Sequence, residues 1–315
     1  MRLNALASYV PEPRIDAAEI VRAAGYSPME ARVFSRIFGI NSVAVSPSGQ
    51  NLFESLSILL DRLQSKHAGA LPEAVIYTHG IPVQYAASAG LSQHLRRHPF
   101  LRETKYVYEV DQHNCAGLFW AFDIAGRLLA AGVSQTVAIL AGDSNAALPL
   151  ADRYIPGVTM LGDAFAGLTV DPAADGIQIA NPSLSCHLGY AFGQYGSPDE
   201  MRAFNNAHTG FVRGVLDAVG FPWERGEMVL PHNINRLVWD QFCRNSGLHR
   251  DRLNLSLLGE TGHCYTADPL ILLDRHIGDG SEKRDATLLS VGLGGFVGGC
   301  RVTIPAQAEA GHAHP

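Results

Sequence analysis

The 315-residue sequence predicts an α/β protein with a mostly parallel sheet. Short β-branched and apolar runs alternate with longer helical runs along the chain, which is the pattern of repeated βαβ units. Hydrophobic residues make up 47% of the sequence, so a large core can be buried. The five cysteines stand apart without a CxxC pair, which argues against a disulfide framework and against a structural zinc site.

The first half of the chain carries this alternation clearly. "EAVIYTHG" predicts a strand over 73–80, and the run that follows predicts a helix over 83–98. "TKYVYEV" predicts a strand over 104–110, followed by a helix over 115–131 with apolar residues near one face. "QTVAILAGD" predicts the next strand, over 135–143. These elements form two successive strand–helix–strand units.

The second half repeats the theme. A helix is expected over 208–221 and an extended segment over 227–232. "INRLVWDQFCRNSGL" predicts a helix over 234–248 that is stopped by Gly247.

The end of the chain returns to strands. We expect a short strand near 253–258, a helix over 265–277 and two final strands over 285–294 and 298–305. The terminal "GHAHP" is expected to be a frayed tail.

The two βαβ-rich halves indicate a duplicated architecture. The segment "DPAADGIQIANP" contains the Pro and Gly typical of a boundary, so the predicted halves are 1–170 and 171–315. The first half carries the candidate nucleophile, and the second carries two candidate histidines and a glycine-rich turn.

Charge and hydropathy exclude several classes of function. The chain has 24 Lys and Arg against 30 Asp and Glu, with no basic run, so no nucleic-acid partner is expected. The first residues lack the continuous apolar core of a signal peptide. Apolar segments are too short or too often interrupted to cross a bilayer, so we expect no membrane partner and a cytoplasmic location.

Cys115 is the first candidate catalytic residue. In "DQHNCAGLFWAFDIAGRLLAAG" it stands where an apolar strand ends and an apolar helix begins. The unpaired N–H groups and the positive end of the helix dipole favour the thiolate form there, and the thiolate is the nucleophile. Ala116 and Gly117 leave room for a substrate. A buried structural thiol is the alternative.

Two histidines occupy similar positions. His232 in "LPHNINRL" and His263 in "GETGHCYTADPLILLDR" each lie at a predicted strand-to-helix turn, at the edge of the sheet where α/β folds gather their sites. A thiolate with two imidazoles suits acyl transfer through a thioester on sulfur.

These residues lie in segments that resemble the ketoacyl synthase III (KAS III) group of the thiolase-fold condensing enzymes. The resemblance covers nearly the whole chain and rests on five segments in the family's order: "NCAGLFWAFDIA", "MLGDAFAG", "PHNINRL", "TGHCYTADP" and "VGLGGFVGG". It implies a thiolase-like fold, in which two duplicated halves form a layered α-β-α-β-α core.

The resemblance also implies roles for single residues. Cys115 matches the acyl-accepting nucleophile, and His232 matches the histidine that assists decarboxylation and holds the enolate oxygen. Gly294 matches the glycine whose backbone N–H forms an oxyanion hole with that of Cys115. Asn235 matches an asparagine that supports the site. His263 stands where the family has an asparagine, which gives a Cys-His-His set.

The function implied is that of an acyltransferase resembling 3-oxoacyl synthase III. It would load Cys115 from acyl-CoA or acyl carrier protein and condense the acyl group decarboxylatively with a malonyl-type thioester, in fatty acid-like or polyketide metabolism. An alternative is that the acyl group passes to an oxygen or nitrogen acceptor without decarboxylation. His263 allows this, because histidine is a better base than an amide and could deprotonate such an acceptor. A third possibility is a non-catalytic subunit of a heterodimeric synthase.

The resemblance further implies no metal and no permanently bound cofactor, with coenzyme A or carrier-protein phosphopantetheine thioesters as substrates. A dimer of identical or homologous subunits is expected, and "QTVAILAGD" is apolar enough to pair as an edge strand. "SRIFGINSVAV" lacks the usual basic residues near the coenzyme A adenine, and Leu237 replaces a basic residue next to Arg236. Two explanations are open: ordinary sequence divergence of this surface, or a change in the acyl donor that binds to it.

Overall fold

A computed structural model of the chain describes residues 1–83, 85, 90–193, 196–224, 226–278 and 285–305. The helices are α1 (Ala17–Ala23), α2 (Pro28–Val33), α3 (Leu52–Lys66), α4 (Leu91–Arg97), α5 (Gly117–Ala130), α6 (Pro198–Ala218), α7 (Arg236–Ser246), α8 (Leu258–Thr261) and α9 (Asp268–Gly278). Part of the predicted helix over 83–98 and the terminal "GHAHP" lie outside the described residues.

The strands follow the same chain order. They are β1 (Arg2–Tyr9), β2 (Arg14–Asp16), β3 (Ser42–Ala44), β4 (Ala74–Thr78), β5 (Tyr106–Val110), β6 (Val137–Asp143), β7 (Tyr154–Ile155), β8 (Thr159–Met160), β9 (Ala164–Asp171), β10 (Gln178–Ile179), β11 (Ser183–Cys186), β12 (Met228–Pro231), β13 (Ala286–Gly292) and β14 (Phe296–Thr303).

The main sheet is mixed, so the prediction of a mostly parallel sheet is wrong. Its order is β12-β13-β14-β10-β1-β9-β6-β4-β5, and β11 also pairs with β14. The pairs β4–β5, β4–β6 and β12–β13 are parallel, whereas β9 and β14 run antiparallel to their neighbours. The turn between β13 and β14 is too short for a parallel crossover, and Gly294 and Gly295 adopt positive φ there.

The predicted layered core is confirmed. Alternate residues of β4 face different clusters: Ala74 and Ile76 pack with α5 and α9, whereas Val75 and Tyr77 pack with α3. Helices α5 and α9 also contact β13 and β14, whose opposite face is covered by α6 and α7. The order of layers is therefore α3, one part of the sheet, α5 with α9, the other part of the sheet, and α6 with α7.

Most predicted elements appear near their expected bounds, with two differences in the second half. Helix α6 begins at Pro198 rather than 208, because Ser197 and Glu200 form a capping box there. The predicted strand over 253–258 is wrong. Leu253 forms one isolated bridge with Val229, and the chain then enters α8.

The expectation that 135–143 forms an edge strand is also wrong. Strand β6 lies inside the sheet, between β4 and β9, and all of its residues are buried. A continuous apolar run is typical of a strand covered on both faces, which explains the difference. At this end of the sheet the outermost strand is β5.

The predicted boundary falls at the end of β9. This strand ends at Asp171, and the short β10 then pairs with both β1 and β14, so it joins the two parts of the sheet. Division into halves at 170 and 171 stays a prediction. Among the described helices, none combines the length and apolar character that a bilayer crossing requires.

Candidate active site

Cys115 lies in a tight turn between β5 and α5. Asn114 adopts a positive φ of 49°, and a short 3₁₀ turn over Asn114–Ala116 leads into α5. A Cβ on Gly117 would lie 2.5 Å from Thr78 Oγ1, and one on Gly292 would lie 2.8 Å from the His113 carbonyl oxygen. The small residues therefore let β4 and β13 press against the turn, which holds Cys115 in place with 5% of its surface exposed.

The thiol of Cys115 contacts His263 directly. Cys115 Sγ lies 2.9 Å from His263 Nε2. Burial acts to lower the pKa of His263, but the nearby charges of Cys115 and Asp268 and the hydrogen bonds to both residues raise it well above its usual value. His263 Nε2 is therefore placed to exchange a proton with the Cys115 thiol, whose Sγ also lies 2.9 Å from Asn114 Oδ1.

His263 lies between α8 and α9 rather than at the predicted strand-to-helix turn, and its backbone is held against the loop between β8 and β9. Its backbone N–H donates to the Met160 carbonyl at 2.8 Å, and its own carbonyl accepts from Gly162 N–H at 2.9 Å. A Cβ on Gly262, which has a φ of +67°, would lie 2.7 Å from the Met160 oxygen. The segment "MLGDAFAG" therefore fixes the backbone of the histidine through hydrogen bonds.

Asp268 is a site residue that the sequence analysis missed. Its carboxylate is fully buried, and Oδ2 lies 2.7 Å from His263 Nδ1. The same carboxylate accepts hydrogen bonds from the backbone N–H groups of Asn233 at 2.8 Å and Cys264 at 3.0 Å. The signal in the sequence is an Asp-Pro helix start five residues after a histidine, which also fits an ordinary helix cap.

His232 is a neutral imidazole at the end of β12. Its Nδ1 accepts a hydrogen bond from Val291 N–H at 3.4 Å, which leaves the proton on Nε2. No partner for Nε2 lies within the described residues. Burial, followed by the charges of His263 and His208, lowers the pKa of His232 well below its usual value. The ring centroid is 5.9 Å from that of His263.

The three predicted catalytic side chains line one cavity of about 70 Å³. Cys115, His232 and His263 supply its reactive groups. Its apolar walls are formed by Ile155, Val158, Leu161, Phe204, Ile234, Tyr265, Val291 and Leu293. This volume accommodates several water-sized groups and therefore a short acyl group.

A second, polar groove adjoins this cavity and shares Val158 and Ile234 with it. It measures about 190 Å³ and lies between α6 and α7. Its amide side chains include Asn205, Asn206 and Gln241. The groove therefore offers uncharged donors and acceptors beside the catalytic cavity.

Asn235 occupies a supporting position. Its Oδ1 accepts from Val238 N–H at 2.9 Å and so caps α7, while its Nδ2 donates to the Val158 carbonyl at 2.8 Å. It therefore ties α7 to the wall of the cavity.

One of the two N–H groups predicted to form an oxyanion hole has a side-chain partner in this structure. The Cys115 N–H donates to Asn114 Oδ1 at 2.9 Å, so a substrate oxygen can use this donor only after the Asn114 side chain turns away. Gly294 lies in the β13–β14 turn, directly after the cavity-lining Leu293. The role of both N–H groups stays a prediction.

The side chain of Arg236, next to the position where Leu237 replaces the family's basic residue, is bound to the backbone of the same chain. The Arg236 guanidinium donates to the Arg36 carbonyl and packs against Gly39. Leu237 has 41% of its surface exposed. The surface at this position therefore presents an apolar group.

The comparisons with known proteins agree with this architecture. Residues 216–303 match the family model described as 3-oxoacyl-[acyl-carrier-protein] synthase III C terminal. No curated protein matches the sequence significantly. Beta-ketoacyl-[acyl carrier protein] synthase III (FabH) from Thermus thermophilus superposes with a TM-score of 0.79 at 19% identity, covering 97% of this chain and 99% of that one.

Two further solved structures have the same fold. Cerulenin-bound OleA from Xanthomonas campestris gives a TM-score of 0.79 at 15% identity and covers 96% of both chains. The acyltransferase ChlB3 gives 0.78 at 17% identity, covering 96% of this chain and 97% of that one. The resemblance to 3-oxoacyl-ACP synthase III is thus confirmed over the C-terminal segment, and the whole chain has the fold of these enzymes.

Proposed function

We propose that this protein is an acyltransferase that carries an acyl group on Cys115 and passes it to a hydroxyl or amine acceptor. The observation that carries the proposal is the 2.9 Å contact between Cys115 Sγ and His263 Nε2. This pair combines a nucleophile with a group that can both give and take a proton, which acyl transfer to a protic acceptor requires.

In the first half-reaction the Cys115 thiolate attacks the carbonyl carbon of an acyl thioester. The bond between that carbon and the donor's sulfur breaks, and the departing thiolate takes the proton from His263 Nε2. The acyl group is then bound to Sγ, and His263 is neutral with a free lone pair on Nε2.

In the second half-reaction the acceptor's oxygen or nitrogen attacks the acyl carbon. His263 Nε2 takes the acceptor's proton, the bond to Sγ breaks, and the Cys115 thiolate is restored beside an imidazolium. The cycle is balanced without loss of CO₂, and it uses the same pair of groups in both directions.

Decarboxylative condensation with a malonyl-type thioester is the second candidate. Its support is His232, a neutral imidazole whose Nε2–H can donate to a thioester oxygen in the cavity. We rank it second because the loss of CO₂ generates the attacking carbanion directly. The condensing step therefore needs no base beside Sγ to deprotonate the acceptor. A non-catalytic subunit has no need of the contact between Cys115 and His263.

The donor is proposed to be a thioester of coenzyme A or of an acyl carrier protein. The amide-lined groove beside the cavity supports this, because the phosphopantetheine arm of both donors carries amide groups that pair with uncharged polar side chains. The short cavity favours a small acyl group.

We also propose a dimer, either of this chain or with a homologous subunit. Strand β5 pairs with β4 and has no second neighbour among the described strands, and Tyr106 on it has 39% of its surface exposed. A second copy can extend the sheet there, which would brace the turn that begins after Val110 and carries Cys115.

The identity of the acceptor is tested with protein that carries an acyl group on Cys115 and has been separated from excess acyl donor. Equal portions receive malonyl-CoA, a panel of alcohols or a panel of amines. We expect alcohols or amines to remove the acyl group with formation of an ester or amide. Discharge by malonyl-CoA alone, with release of one CO₂ per acyl group, would replace the proposal with condensation.

A further inference from the structure

Asp268 joins the two segments that carry the catalytic histidines. It is the first residue of α9, and its buried carboxylate contacts His263 and the backbone beside both histidines. We infer that Asp268 is a positioning residue that fixes the tautomer of His263 and holds His232 and His263 in register with Cys115. This inference rests on the proposed function and deepens it.

The contact with His263 determines which ring nitrogen faces the thiol. Asp268 Oδ2 accepts from Nδ1–H at 2.7 Å, so Nδ1 keeps its proton and Nε2 points at Cys115 Sγ. Once Cys115 is acylated, Nε2 therefore presents a lone pair to the incoming acceptor. The negative charge of Asp268 also stabilises the imidazolium formed when the acceptor gives up its proton, as the pKa of His263 indicates.

The same carboxylate holds the turns on which the histidines lie. It accepts from Asn233 N–H, directly after His232, and from Cys264 N–H, directly after His263. One side chain therefore sets the position of both turns. An asparagine here has the same shape, but it has a single acceptor oxygen, whereas four donors converge on the carboxylate of Asp268: Nδ1 of His263, the backbone N–H groups of Asn233 and Cys264, and Nδ2 of Asn233.

A helix cap is the competing explanation, because Asp268 begins α9. A cap stabilises the helix and leaves the protonation of His263 unchanged. The two roles therefore differ in the pH at which Cys115 becomes reactive, and they need not differ in melting temperature.

The experiment compares Asp268→Asn with Asp274→Asn in the full chain carrying Cys186→Ser, because Cys186 is an exposed thiol. Asp274 lies on the same helix but bonds Ser8 and Lys66 instead. The rate of Cys115 alkylation by iodoacetamide is measured against pH, together with acyl loading from acyl-CoA.

In Asp268→Asn we expect the midpoint of the alkylation profile to move up by roughly one pH unit or more. Acyl loading at pH 7 should fall by roughly 100-fold to 10,000-fold, the range of a lost tautomer-fixing carboxylate. Asp274→Asn should match the wild type. A folded Asp268→Asn variant with an unchanged midpoint would overturn the inference.

A measurement on the unaltered enzyme covers the case in which Asp268→Asn does not fold. Ring ¹⁵N NMR of His263 should show a protonated Nδ1 from pH 6 to pH 9, and an unprotonated Nδ1 would overturn the inference. Alkylation and NMR need no acyl donor or acceptor. An enzyme that passes both yet transfers no acyl group would therefore refute the proposed function alone.

Discussion

Replacement of His263 by asparagine tests the contact that carries the proposed mechanism. Asparagine restores the residue expected from the family, and its amide can still donate a hydrogen bond, but it cannot exchange a proton with the thiol. Cys115 then loses the imidazole that lies 2.9 Å from its sulfur. Loss of one partner from a buried ion pair costs about 3–5 kcal/mol, or about two to four powers of ten in the population of the thiolate.

The fall in the reactivity of Cys115 in His263→Asn has a lower bound that follows from ordinary thiol chemistry. An unassisted cysteine is still a few per cent thiolate at pH 7, so the alkylation rate of Cys115 should fall by at least about 30-fold. Burial of the thiol acts in the same direction. We therefore expect His263→Asn to lose between about 30-fold and about 10,000-fold in both alkylation and acyl loading at pH 7.

The assay is stopped-flow alkylation and quenched acyl loading of His263→Asn and His263→Ala, each in the Cys186→Ser background. If His263 acts as an acid and base, the two variants should be equally slow in loading and in discharge to an alcohol or amine. Normal loading in His263→Asn, with CO₂ release from malonyl-CoA restored above the level of His263→Ala, would refute this role and favour condensation.

Three further predictions concern stability and assembly. Asp163→Asn breaks the buried pair with Arg153, whose N–O distance is 3.0 Å, and should lower the free energy of unfolding by about 3–5 kcal/mol in urea titrations. Burial raises the pKa of Asp143 to about 6, above an unfolded value of about 3.9. The folded protein therefore binds more protons than the unfolded chain between these two pH values. Lowering the pH from about 6 to about 4 should raise the free energy of unfolding by up to about 3 kcal/mol in urea titrations. The Asp143→Asn variant should lack this gain. Light scattering at micromolar concentration should give a dimer, and an active monomer would contradict the assembly through β5.

The position of Cys115 could be predicted because the local pattern determines it. A strand, a turn with small residues and a helix follow one another in the sequence, and the structure keeps that order around Cys115. His232 could be predicted as its neighbour on the same grounds, since strand ends meet at one edge of a sheet. The sequence predicts a strand-to-helix turn for His263 as well, but His263 lies between α8 and α9 and is held by backbone hydrogen bonds with Met160 and Gly162.

Asp268 could not be predicted because its partners are distant in sequence. An Asp at a helix start has a local explanation as a cap, and only the folded chain brings Asn233 beside it. The hydrogen bond from Cys115 N–H to Asn114 is likewise a choice of side-chain rotamer that the sequence leaves open.

Two of the three errors in the sheet have a common physical reason. An apolar run specifies burial but leaves the neighbouring strands undetermined, so 135–143 fits an edge or an interior strand until both faces are known to be covered. In the same way, the leucines of 253–258 are apolar enough for a strand, yet Leu257 and Leu258 are buried at the start of a short helix.

The most direct test of acyl transfer through Cys115 is intact-protein mass spectrometry after incubation with a panel of short acyl-CoA thioesters. The wild type and Cys186→Ser should each gain one acyl increment, which Cys115→Ala should lack, and addition of an alcohol or amine should remove it without release of CO₂. An increment that persists in Cys115→Ala, or a wild type that no acyl thioester labels, would contradict the account.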